Sequence, residues 1–164
     1  MEIRIEKTQQ PKAKHEETSL GFGQFFTDHM FVMDYTPEKG WYDARIIPFQ
    51  NFSIHPASTV LHYGSEIFEG LKAYRAADGS IRLFRPYENA KRLNSSAERL
   101  CLPQLPEEYF IEALETLIRL DQDWVPSSEG TSLYIRPFLF GNDETLGVHT
   151  VHHATFAVII SPYH

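Results

Sequence analysis

Tyr134 and Arg136 stand two residues apart in "LYIRPF". In an extended strand that spacing sends both side chains from one face. A guanidinium fork beside a phenol hydroxyl suits a carboxylate, which takes two parallel charge-assisted hydrogen bonds from the fork. The same arginine can equally pair with a structural acid at a sheet edge. Arg92, beside Lys91 in "NAKRLN", has the same two possibilities, a phosphate ligand or a solvated helix charge. Tyr63 and Phe68 lie among glycines in "HYGSEIFEG". Such aromatics either pack in a core or line a space that a ligand fills, and a buried phenol hydroxyl needs a hydrogen-bond partner. Tyr63, Arg92, Tyr134 and Arg136 therefore form an anion-ready set, but their types alone do not name the anion.

Other residues give weaker signals. Glu66 and Glu69 sit three apart, and on a surface turn they are expected to be solvated rather than to act as an acid-base pair. The run "HTVHH", His149 to His153, raises a metal reading, yet no cysteine and no helical HExxH pattern accompanies it. In an extended chain His149 and His152 would take opposite faces, so the histidines are expected not to converge and no metal site is assigned. Cys101, flanked by leucines in "RLCLP", is expected to be a buried, inert thiol. As the only cysteine it excludes an intrachain disulfide and fits a reducing compartment. No GxGxxG or Walker-type loop supports a nucleotide fold.

The whole chain bounds these readings. With 164 residues, 42% hydrophobic and 23% charged, it can build one globular core. A formal charge of -7 argues against nucleic-acid or anionic-membrane partners, though not against a small anion held by local arginines. The polar start lacks a signal-peptide pattern and no apolar run reaches spanning length, so a cytoplasmic location is expected.

The elements that must position these residues are legible from period and punctuation. Residues 1–18 are uniformly polar and are expected to form a flexible tail, with the folded unit at 19–164. Strands are expected at 31–35 and 41–49, joined by "TPEKG". Residues 71–75 and 81–84 flank Asp78-Gly79, a pair that tolerates the positive φ of a tight hairpin. "PYENAKRLNSSAERL" reads as a helix with Pro86 in its first turn and Ala90, Leu93, Ala97 and Leu100 on one stripe. "LPEEYFIEALETLIRLDQDWV" opens with acids at its positive dipole end and carries Phe110, Leu114, Leu117 and Ile118 on its apolar face. "TSLYIRPFLFG" and the near-continuous apolar series at 154–160 complete the sheet. The expected class is α+β, an antiparallel sheet covered by helices.

The motifs "FTDHM", "HYGSEIFEGLKAY", "IRLFRP", "RLNSSAERLCLP", "LDQDWVP", "LYIRP" and "TLGV", from about Leu20 onward, resemble the small N-terminal domain of branched-chain amino-acid aminotransferases. These are fold-type-IV enzymes that use pyridoxal 5'-phosphate. The resemblance implies that Arg92 holds the cofactor phosphate. It implies that Tyr63 and Arg136 receive substrate carboxylates, the α-carboxylate near the tyrosine and the side-chain carboxylate of glutamate near the arginine. Phe22, Phe68 and Tyr134 would wall an aliphatic pocket, and Leu146 and Val148 would reach into the partner's active site in a homodimer. Leucine, isoleucine or valine would pass its amino group to 2-oxoglutarate. A D-amino-acid aminotransferase, an aminodeoxychorismate lyase or a non-catalytic dimerisation module are the alternatives.

The resemblance also implies a division of labour. The family's Schiff-base lysine belongs to a C-terminal domain that this sequence does not contain, and none of Lys7, Lys12, Lys14, Lys39, Lys72 and Lys91 matches its motif. No catalytic residue is therefore assigned here. The sequence is expected to be the N-terminal part of a longer enzyme and to be inactive alone.

Overall fold

The computed structural model describes residues 1–164. Eight strands form one sheet: β1 (Arg4–Ile5), β2 (His29–Thr36), β3 (Gly40–Pro48), β4 (Glu66–Phe68), β5 (Leu71–Arg75), β6 (Ile81–Leu83), β7 (Ser132–Gly141) and β8 (Ala154–Tyr163). Their order is β1-β3-β2-β8-β7-β5-β6, with β4 also on β7. Every pairing is antiparallel except the short parallel one of β1 with β3. Three α-helices are present, α1 (Thr59–Tyr63), α2 (Pro86–Arg99) and α3 (Glu107–Leu120), with short 3-10 turns at Glu17–Ser19 and Gln122–Trp124.

Strand alternation divides the sheet into two unlike faces. One face sends Phe31, Leu133, Ile135, Phe156 and Val158 against Leu93, Phe110, Leu114 and Leu117 of α2 and α3, and all of these are buried. Phe156 touches both Phe31 and Phe110, with ring centroids 5.9 and 6.2 Å apart. Truncating such a fully packed ring costs about 3–5 kcal/mol. The other face of the same strands carries Tyr134, Arg136, Phe138 and Ile159, none of them fully buried. No helix of the chain is long and apolar enough to cross a membrane.

Three sequence expectations are corrected here. Residues 1–18 are laid against the body: β1 pairs with β3, the Met1 amino group meets Glu112 at 3.0 Å, and the Thr8 N–H donates to His29 Nε2 at 2.9 Å. Polar composition hid these contacts because most use backbone groups rather than an apolar stripe. Cys101 is exposed. It occupies the left-handed position after α2 (φ 55°), where the Leu102 N–H bonds Ala97 O and the Cys101 N–H bonds Glu98 O. This is a Schellman closure, and it buries Leu102 while turning the thiol outward. Leu100, placed on the buried stripe by its spacing, lies beyond the last helical turn and is 47% exposed.

The helix α3 also stops earlier than its pattern implies, at Leu120. Asp121 is taken by β2: its Oδ2 accepts the His29 N–H at 3.0 Å and its Oδ1 lies 2.6 Å from His29 Nδ1. Trp124 Nε1 donates to Asp28 at 3.1 Å. The paired motifs "TDHM" and "LDQDWVP" thus form a buried structural junction.

Candidate functional site

The exposed face of β7 sets the site. Tyr134 and Arg136 project from it side by side, and Arg136 Nη2 donates to Tyr134 Oη at 2.8 Å. The Arg136 guanidinium carbon lies 4.3 Å from the Phe68 ring centroid and 5.3 Å from that of Tyr134, so two aromatic faces hold the fork flat. Its Nε is buried and has no hydrogen-bond partner. A buried donor without an acceptor is costly, and an anion is the natural acceptor for a guanidinium. Phe22 packs edge-on against Tyr134 (4.9 Å) and Tyr163 (5.6 Å). The fold therefore brings Phe22, Phe68, Tyr134 and Arg136 into one cluster, and Tyr163 joins them.

Gly70 explains why a glycine borders this cluster. The β7 edge is shared by β4 and β5, which part opposite Pro137 and Arg136. A Cβ on Gly70 would collide with the Tyr134 hydroxyl, so only glycine leaves the phenol its place. Gly64, in contrast, closes α1 in the left-handed conformation (φ 59°) with its N–H on Val60 O.

Tyr63, Leu146 and Val148 form a second group. The Gly147 N–H donates to Tyr63 Oη at 2.7 Å, which ties the "TLGV" loop to the end of α1. Because the phenol oxygen accepts this bond, its own proton is left to donate elsewhere. Leu146 and Val148 flank the tie and stand 68% and 88% exposed.

Arg92 stands in a third place, one turn into α2 from Asn89. Its Nε and Nη2 donate to Glu69 Oε1 and Oε2 at 2.7 and 2.8 Å, and Asn89 Nδ2 adds a third bond at 2.8 Å. Glu69 is buried, which corrects the expectation that it is solvated. Burial pushes its carboxyl up, but the bonds from Arg92 and Asn89, the Arg92 charge and the Gly70 N–H outweigh this and hold it below the usual carboxylate range. A signal existed in the sequence: Asn89 and Arg92 share a helix face, and Glu69 sits directly before the required glycine. The Arg92 side chain is 69% exposed and its Nη1 lies outside the carboxylate fork, so it has a donor for an anion such as a phosphate.

The histidine run is the remaining correction. Asp143, His149 and His152 each bring a ligand atom within 4.8 Å of the others. The loop is not extended here, so the alternation that separates the histidines in a strand does not apply.

Comparison with known proteins bears on this geometry. No family model matches the sequence. The chain is 52% identical to branched-chain-amino-acid aminotransferase 2 of Bacillus subtilis (strain 168) over 98% of its own length and 44% of that protein's. It is 47% identical to the mitochondrial branched-chain-amino-acid aminotransferase of Bos taurus, over 98% of its length and 41% of that protein's. The chain is homologous to the N-terminal part of branched-chain aminotransferases. It spans less than half the length of those relatives.

The fold agrees with that homology. A T.th. branched-chain amino acid aminotransferase, solved with N-(5'-phosphopyridoxyl)-L-glutamate, superposes with a TM-score of 0.62 at 26% identity. The match covers 80% of this chain and 40% of that one. The mixed sheet with one helix-covered face is thus the N-terminal architecture of fold-type-IV aminotransferases.

Proposed function

We propose that this chain supplies the substrate-gripping and phosphate-anchoring wall of a branched-chain aminotransferase whose lysine-bearing portion lies outside residues 1–164. The observation that carries the reading is the buried, unpartnered Arg136 Nε beside the Tyr134 hydroxyl, within an aromatic cluster. In this reading Arg136 takes the side-chain carboxylate of glutamate or 2-oxoglutarate, while Phe22, Phe68 and Tyr134 accept the aliphatic side chains of leucine, isoleucine or valine. The free proton of Tyr63 reaches the α-carboxylate. Arg92, with Nη1 outside its pair with Glu69, takes the phosphate of pyridoxal 5'-phosphate. That cofactor, when bound, supplies the electron sink for amino-group transfer.

The chain's own contribution is placement rather than proton transfer. Glu69 keeps the Arg92 fork at a fixed angle, so the phosphate end is held as a pivot. The aromatic faces hold Arg136 flat and shield it from water, which strengthens its bond to a carboxylate. Leu146 and Val148, exposed on either side of the Gly147–Tyr63 tie, are read as the part that reaches into the partner's site in a homodimer. The folded unit is read as residues 19–164, braced by the preceding segment.

The test is transamination by the complete polypeptide that carries this chain. Transfer from leucine, isoleucine or valine to 2-oxoglutarate is expected. Transfer from D-alanine with none from leucine would overturn the proposal.

A further inference from the structure

Outside the proposed site, the loop from Asp143 to His153 lines one side of an open cleft of about 610 Å³ at the ends of β2, β7 and β8. Its order is unusual for an exposed loop. Asp143 is buried, and its carboxylate accepts the His152 N–H at 2.9 Å on Oδ2 and the His153 N–H at 2.6 Å on Oδ1. His153 Nδ1 also lies 2.8 Å from Oδ1. Oδ1 is thus saturated, and Oδ2 is left facing His149, whose Nδ1 is 3.7 Å away. The His149 and His152 rings stack at 5.9 Å, nearly parallel.

We infer that Asp143, His149 and His152 form a binding site for one divalent transition-metal ion of the zinc class. Two imidazoles and one carboxylate favour zinc, nickel or copper over magnesium or calcium, which prefer all-oxygen shells. Bonds of about 2.0–2.1 Å in a tetrahedral shell separate neighbouring ligand atoms by about 3.4 Å. The three atoms already lie within 4.8 Å of one another, so the site needs a contraction on the order of 1 Å. The histidines are exposed, and Gly147 with φ 108° gives the loop between them and Asp143 a hinge without a side chain.

The outer groups must rearrange in part. His149 Nδ1 lies 2.9 Å from Thr150 O, a carbonyl that can only accept, so the ring carries its proton on Nδ1 while Nε2 accepts from the Thr145 hydroxyl at 3.1 Å. A metal on Nδ1 moves that proton to Nε2, where the Thr145 hydroxyl turns to accept it. His153 orients Asp143 through Oδ1 without competing for Oδ2. The two ends of the site bracket Gly147, so a bound ion braces the loop that holds the Tyr63 hydroxyl.

The test is calorimetric titration of the full 164-residue chain with zinc chloride, with cobalt chloride as the optical probe. One zinc per chain and a visible cobalt spectrum of low coordination number are expected. H149A and H152A should each weaken zinc binding at least about tenfold. H15A and H55A should bind zinc as the parent does. Parent-like zinc affinity in both H149A and H152A, or no zinc uptake by the parent, would overturn the site. Neither readout depends on transamination.

Discussion

Arg92 grips Glu69 with both ends of its fork, Nε to Oε1 at 2.7 Å and Nη2 to Oε2 at 2.8 Å, and the two partners differ sharply in environment. The carboxylate is 2% exposed and the guanidinium 69%. The buried partner therefore carries the energetic stake. R92K should lower thermal stability because an ammonium cannot replace two parallel donors, and it should also weaken cofactor retention in the complete enzyme. Pyridoxal phosphate content after dialysis checks the second effect. Content equal to the parent's would separate Arg92 from the phosphate.

The same pair predicts an acid limb. Glu69 has its folded-state value held below the usual 4.5, so its stabilisation is fully present above about pH 4.5. It is lost as pH falls through the depressed value, because the unfolded carboxyl then binds the proton more readily. Denaturant midpoints measured from pH 6 down to about 3 should fall in the parent and fall less steeply in E69Q. Identical slopes would contradict the assignment.

Gly70 and Tyr134 form a second coupled pair. G70A should cost about 1–3 kcal/mol, since the added methyl displaces the phenol. G70A/Y134F should recover part of that loss in urea unfolding, because the hydroxyl is the atom in the way. A double variant no more stable than G70A would show that the strain lies elsewhere.

Cys101 occupies a left-handed cap without being glycine. C101G should stabilise the chain by about 0.5–1 kcal/mol, the left-handed penalty of an L-residue less glycine's extra entropy. C101V should destabilise it, since a β-branched side chain tolerates that conformation poorly.

Much of this architecture was readable from the chain. The hairpin at Asp78-Gly79, both long helices and the strands at 31–35 and 154–160 follow from period and turn residues, which report local geometry. Tyr134 and Arg136 were placed together by strand alternation alone. What escaped were features decided by partners distant in sequence. Glu69 is buried because a helix some twenty residues later supplies Asn89 and Arg92. Residues 1–18 are ordered because β3, Asp28 and His29 offer them hydrogen bonds. Cys101 faces solvent because a helix ends there, and the histidines converge because their loop folds back on Asp143. Local patterns carry no record of such closures.

Arg136 decides whether this face recognises a second carboxylate. The direct measurement is kcat/KM of the complete polypeptide and its R136M variant, for glutamate and for leucine separately. Loss of a charge-assisted fork, about 1.5–3 kcal/mol, should lower the glutamate value by about 10- to 150-fold, with leucine reduced far less. Equal reductions for both substrates, or none for glutamate, would contradict the role given to Arg136.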